Sequence, residues 1–190
     1  SDVFWLAEMQ PMVKFRSGSL EQGMDQAFGG NHTKVKLDKL SAYLEMFTTA
    51  VSKKGFKLFY FDAFAGSGGV EPFTPDSSSP KQVPLLKVEN AVSVIEGSAL
   101  RALKTKTPFD QYFFVDIDDS CIQALERRLA GHERFNRCRF KRSNANESLR
   151  KWCSAVDWKT ARAVVFLDPK GGQVEWETIK VLAETKAIDL

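Results

Sequence analysis

Four short polar segments of this chain carry residue types suited to holding a small molecule: Asp62 with Gly66-Ser67-Gly68, Asp116, Asn144, and Asp168-Pro169. Each closes an apolar run, and a carboxylate at Asp62 could there meet a cationic amino group. The glycines let the backbone turn sharply and come close to a ligand, because no side chain stands in the way. Asp116 could accept hydrogen bonds from both hydroxyls of a ribose, and Asn144 could read the edge of an adenine. A ligand meeting the first three is a nucleoside that carries an amino acid, and S-adenosylmethionine is such a molecule.

Two competing phosphate-binding chemistries fit less well. A dinucleotide fingerprint needs GxGxxG opening directly into a helix, with an acidic residue about 20 positions later. Here a Pro/Ser-rich stretch follows Gly66-Ser67-Gly68-Gly69, and Asp116 stands about 50 positions on. A P-loop fits less well because no GK[ST] triplet follows the glycines.

The elements that must position these residues follow from hydrophobic patterning. Leu37, Leu40, Tyr43, Leu44 and Phe47 recur at helical steps and predict an amphipathic helix from His32, about five turns long, stopped by Gly55. Phe56 to Phe64, Tyr112 to Ile117, Cys138 to Lys141 and Ala163 to Leu167 read as strands, with a fifth beginning at Ile188 to Leu190. Helices are expected after Gly97, with Ser98 as N-cap, then through Ile122, Leu125 and Leu129, over Glu147 to Trp152, and over Trp176 to Thr185. Strands alternating with helices, the strands apolar on both faces, predict an α/β fold with a mostly parallel sheet covered by helices on both faces. In such sheets ligands sit beyond the carboxyl ends of the strands, where all four polar segments fall. Residues 1–30 read as an irregular segment with a small apolar cluster at Phe4, Trp5 and Leu6, and residues 31–190 as the domain. Residues 70–84 read as a long loop suited to a lid.

Bulk properties set bounds. The chain has 190 residues, 43% hydrophobic and 27% charged, as an ordinary globular protein does. A net charge of +3 is too small to argue for nucleic acid by itself. A local basic patch is expected around Arg137, Arg139, Lys141 and Arg142, with the first three sharing a face if they lie on one strand. Cys121, Cys138 and Cys153 form no metal-like spacing and read as small buried residues of a reducing compartment. No apolar run reaches the roughly 20 residues that span a bilayer, and the chain opens on no signal-peptide pattern, so a cytoplasmic location is expected.

The motifs resemble a known family. Asp62 to Gly68, DAFAGSG, is similar to motif I of class I S-adenosylmethionine-dependent methyltransferases. HTKVKLDKLSAYL at His32 to Leu44, FYFDAFAGSG at Phe59 to Gly68, GSALRAL at Gly97 to Leu103 and FLDPKGGQVEW at Phe166 to Trp176 resemble, in that order, the three-Cys-motif partner family, TcmP. The resemblance implies a class I methyltransferase (Rossmann-like) fold. It also implies a separate three-Cys-motif, radical-type partner protein, whose cysteines are not those of this chain. The implied cofactor is S-adenosylmethionine, held by Asp62, Phe64, Ala65, Gly66 and Gly68 at the first strand end, Asp116 and Ile117 at the second, and Asn144 and Ala145 at the third. Asp168 and Pro169 would form the catalytic pair, and no metal is implied.

The chain departs from the wider methyltransferase pattern at three places. Asn144 replaces an acidic residue, a change that keeps pairing with adenine open. Lys170-Gly171-Gly172 follows Asp168-Pro169 where base N-methyltransferases carry an aromatic residue, which argues against methylation of a base nitrogen. The sequence reaches only strand five of an expected seven, which predicts self-association or an unfinished sheet. Two functions are therefore carried forward: methyl transfer, with nucleic acid as a candidate acceptor, and a non-catalytic binding module serving the radical-type partner. His32 is expected at a helix entry, Lys34 and Lys36 as solvated charges, and Trp152, Trp158 and Trp176 as packing residues.

Overall fold

The computed structural model of the protein describes residues 25–70, 95–169 and 171–190. Helix α1 spans Asp25–Ser52, followed by β1 (Lys57–Asp62), the short strands β2 (Gly69–Val70) and β3 (Ile95–Glu96), and α2 (Ser98–Leu103). The chain continues through β4 (Gln111–Asp116), α3 (Asp119–Leu129), β5 (Cys138–Arg142), α4 (Ala145–Ala155), β6 (Ala161–Phe166), α5 (Trp176–Glu184) and β7 (Ile188–Asp189). The Phe4-Trp5-Leu6 cluster and residues 71–84 of the expected loop lie outside the described residues.

Five strands form one parallel sheet in the order β5-β4-β1-β6-β7. The chain builds outward from β1 in one direction, returns to its other side for β6, and continues to β7. This is the α/β architecture expected from the sequence, with a Rossmann-like reversal of strand order beside β1. Two helical layers cover the sheet. Leu58 and Tyr60 of β1 pack with Leu40 and Leu44 of α1, Leu103 of α2 and Leu125 of α3. Phe61 and Val165, on the opposite face, pack with Leu149 of α4 and Leu182 of α5. Alternate strand residues point to opposite faces, so one apolar run supplies both cores.

The aromatic residues divide in the same way. Tyr60, Phe109, Tyr112 and Phe114 are fully buried under the first layer. Phe61, Phe113 and Trp152 cluster under the second, with ring centroids 4.9 to 5.8 Å apart. Each fully buried ring contributes about 1.5–3 kcal/mol of transfer free energy, so the central strands are held from both sides. Cys138 and Cys153 are buried in these cores, and burial pushes both thiols up to about 11, where they are inert at neutral pH.

Several boundaries differ from those predicted. Helix α1 begins at Asp25, so residues 25–30 are helical and not irregular. Gly29 and Gly30 each cost about 1 kcal/mol in a helix, and this weak propensity is overridden by the helix that follows. Ser98 is the first residue of α2, not its N-cap; Gly97 holds that place without a side-chain bond. Trp152 and Trp158 are partly buried in the second core, but Trp176 is 70% exposed at the start of α5. The small antiparallel ladder of β2 and β3, pairing Gly69 with Glu96 and Val70 with Ile95, has no counterpart in the sequence reading. Among the described residues no helix is long and apolar enough to cross a membrane.

Candidate functional site

A cleft of about 630 Å³ opens beyond the carboxyl ends of β1, β4, β5 and β6. Phe64, Gly66, Asp116, Ile117, Asn144, Ala145 and Asp168 of the expected set all line it. The four polar segments noted in the sequence therefore converge on one space. Asp62, Ala65, Gly68 and Pro169 do not line it.

Asp62 stands behind the site. It is completely buried, accepts from Ser98 Oγ at 2.5 Å, and lies 3.4 Å from both the Tyr60 hydroxyl and the Phe64 amide. Burial pushes its carboxyl up to about 6, against the lowering effect of these donors. It therefore takes up a proton as pH falls through about 6, well above the usual carboxylate range, and its visible work is to join β1 to the start of α2.

The two glycines do different work. Gly66 has φ +56°, and a side chain there would meet open space, in keeping with its place on the cleft wall. Gly68 has φ +78°, and an added Cβ would sit 2.4 Å from Leu125 Cδ1. Gly68 therefore lets the loop after β1 lie on α3, a packing requirement and not an approach to the cleft.

Asp116 fixes the loop across from it. One of its oxygens accepts from the Gly66 amide at 2.9 Å, the other from the Asp118 amide at 2.9 Å. A carboxylate offers about four lone-pair sites, so roughly two remain for a ligand. Ile117, the next residue, is 70% exposed on the cleft wall, and its apolar surface offers packing to a flat ring. Asp118 caps α3, accepting from the Ser120 hydroxyl and amide, which lower its pKa along with a smaller contribution from Arg142.

Asn144 caps α4, its side-chain oxygen accepting from the amides of Asn146 at 2.9 Å and Glu147 at 3.2 Å. Capping occupies the acceptor and leaves the amide N–H groups for a ligand. They could donate to an adenine ring nitrogen, whereas the adenine amino group would need another acceptor.

Two residues at the site escaped the sequence reading. Lys36 of α1, expected as a solvated charge, forms an ion pair with Asp168 and lies 5.6 Å from the Phe166 ring centroid. Its helix is fixed by Arg101 of α2, which donates to Asp38 at 2.8 Å and Ser41 at 3.0 Å. Asn146, nearly fully buried, donates to the Gln173 carbonyl at 2.9 Å and accepts from the Glu175 amide at 3.0 Å. It thereby ties the segment after β6 to α4 and closes one wall of the cleft. An asparagine inside a helical pattern gives no hint of such a role; the tie runs to a loop 27 residues away.

The charge of the lining is one-sided. Asp116, Asp118, Asp168 and Glu175 face the cleft, and among the described residues no lysine, arginine or histidine lines it. The cations sit outside: Lys36 on Asp168, and Arg150 on Glu175 at 2.5 Å.

No protein-family model and no curated protein matches the chain. Among solved structures it is similar to a conserved hypothetical protein of Streptococcus pyogenes, at 17% identity, over 74% of this chain and 68% of that one, with a TM-score of 0.43.

Proposed function

We propose that the cleft binds S-adenosylmethionine and that the protein is a class I methyltransferase-like α/β protein, as its motifs imply by resemblance. The observation that carries this reading is the acidic lining. Four carboxylates, with no cation among the described lining residues, favour a ligand that is itself cationic, and both the sulfonium and the ammonium of this cofactor are. The same lining disfavours NAD or ATP, whose phosphates would meet Asp116 and Asp118, neither of which forms an ion pair with a described residue. The volume lies within the range of about 300–1,000 Å³ usual for small-molecule sites, and the open space above Gly66 admits a ligand close to the backbone.

In this reading the two spare acceptor sites of Asp116 take the ribose hydroxyls, Ile117 packs on the base, and the Asn144 amide donates to a ring nitrogen. The bound cofactor supplies an electrophilic methyl group. Asp168, at the far side of the cleft, orients the nucleophile, and positioning of the two reactants is the main contribution of the protein. Asp62 holds the loop floor through Ser98 and does not touch the ligand.

Titration calorimetry of S-adenosylmethionine and S-adenosylhomocysteine, with NAD and ATP as controls, tests the reading. Binding of the first two alone, abolished in a folded Asp116→Ala variant, is expected. Binding of a phosphate-bearing control in their place, or no binding at all, would overturn it. The engaged state of Asp168 gives the non-catalytic binding module its support, since its carboxylate is already paired with Lys36. Cofactor binding without methyl transfer to any nucleic-acid or protein acceptor would favour that second reading.

A further inference from the structure

Residues 134–142 hold five cations and no acid: Arg134, Arg137, Arg139, Lys141 and Arg142. The structure divides them by task. Arg134 donates to the carbonyls of Leu103 and Thr105 at 2.7 and 2.6 Å, and Arg137 to that of Phe109 at 3.1 Å, so both staple loops to the body. Arg137 also precedes β5, in a short 3-10 turn, and does not share the strand face expected for it. Arg139, Lys141 and Arg142 remain, all exposed on β5, and none forms an ion pair with a described residue. Among the described residues Arg139 donates to the nearby carbonyls of Asn136 and Cys138.

Position makes these charges informative. β5 is the outer strand of the sheet, and Arg142 is the ladder partner of Asp116, which lines the cleft. Cations that only guard an edge against aggregation need no such placement, and the opposite edge, β7, carries Asp189 and no cation. We infer that the exposed β5 cations, Arg139 and Lys141 from one face of the edge strand and Arg142 from the other, flank the sheet edge as a docking surface for the phosphate backbone of a nucleic acid that runs to the mouth of the cleft.

Charge complementarity selects this occupant. The acidic cleft repels phosphate, so a strand delivering one nucleoside to it must keep its backbone outside, and the basic edge lies there. A membrane surface fits less well, since interfacial binding needs apolar side chains beside the cations. The large exposed apolar residues among those described are Val35, Met46, Ile117, Trp176 and Leu190, none on β5. The inference deepens the proposed function by naming the acceptor class, and rests on that reading for the claim that the docked strand is the acceptor; the docking itself does not depend on it.

Fluorescence anisotropy of a short labelled single-stranded RNA, over about 50 to 200 mM salt, tests the surface. The combined variant Arg139→Gln/Lys141→Gln/Arg142→Gln should bind at least about tenfold more weakly at about 100 mM salt. The slope of log K against log salt should fall by about two, at roughly 0.7 per phosphate lost. Titration of S-adenosylmethionine into Arg139→Gln/Lys141→Gln, which keeps Arg142 beside Asp116 and Asp118, should be unchanged. Should the combined variant unfold, Lys141→Gln alone, whose exposed side chain bonds to no described residue, should lower the slope by about 0.7. Absence of RNA binding by the unaltered protein, or equal binding and slope in the variants, overturns the proposal. So does equally tight binding of phosphatidylserine vesicles or polyglutamate with the same loss in the variant. RNA binding that depends on these cations, with no cofactor binding, would leave the docking surface standing and remove only the cofactor reading.

Discussion

The Ser98 hydroxyl donates to Asp62 Oδ2 at 2.5 Å, linking the first residue of α2 to the last residue of the central strand β1. Because the Asp62 carboxyl is fully buried and pushed up to about 6 from 3.8, this link carries a pH dependence. The folded protein holds the proton more tightly than the unfolded chain does. The resulting stabilisation is full below about pH 4, falls as pH rises toward 6, and is absent above it. A shift of about two units corresponds to about 3 kcal/mol. Asp62→Asn keeps an acceptor for Ser98 without the titration. Its stability, from urea unfolding at about pH 5 and about pH 8, should be flat where that of the unaltered protein declines. Parallel profiles for the two proteins would show that Asp62 is not the titrating group.

Gly66 and Gly68, two residues apart, should separate binding from folding. Gly68→Ala forces a Cβ against the buried Leu125 at a positive φ, and should lower stability by about 2–4 kcal/mol. Gly66→Ala meets no atom and should cost only about 1–2 kcal/mol, the backbone strain alone. Because Gly66 lines the cleft, S-adenosylmethionine affinity should fall by about tenfold or more, equivalent to about 1.4 kcal/mol. Equal stability losses in the two variants would contradict the packing role given to Gly68.

The pattern of what the sequence disclosed has a physical cause. Apolar runs such as Leu58 to Phe61 and the helical spacing of Ile122, Leu125 and Leu129 are local, and they placed the parallel strands and α3. Asp116, Asn144 and Asp168 were legible because each ends such a run. The chemistry of Ser98, Lys36 and Asn146 was not, since each acts through a partner far along the chain: Asp62, Asp168 and Gln173. A serine after glycine reads as a cap by propensity, and only the approach of β1 turns its hydroxyl elsewhere. Asp62 was legible as a strand-end acid but not as a buried one, because burial is a property of the packed layers. The motif that suggested a ligand contact in Gly68 is equally well a packing motif, and Leu125 decides between the two.

The Lys36–Asp168 pair should contribute little to stability despite its place at the cleft. Both side chains are about half exposed, at 47% and 49%, and exposed pairs are worth at most about 1 kcal/mol after screening. A double-mutant cycle of Lys36→Ala and Asp168→Ala, read by thermal or urea unfolding, should give a coupling below about 1 kcal/mol that shrinks with added salt. A larger, salt-insensitive coupling would mean that the pair is a structural strut, leaving Asp168 no freedom to orient a ligand.

Asn146 should be the opposite case, small in charge and large in effect. Its side chain satisfies the Gln173 carbonyl and the Glu175 amide from a site only 4% exposed. Asn146→Ala leaves both backbone groups without that partner, at a cost of about 1–3 kcal/mol where they stay buried. The segment from Gln173 to Glu175 can instead recover its bonds from water by moving outward, which would open the cleft wall. Hydrogen exchange decides between these responses. The Glu175 amide should lose protection by at least about tenfold in the variant while the amides of β1 and β4 keep theirs. Unchanged protection at Glu175 would show that the wall is held by Arg150 on Glu175 and Thr178, and that Asn146 is only filling space.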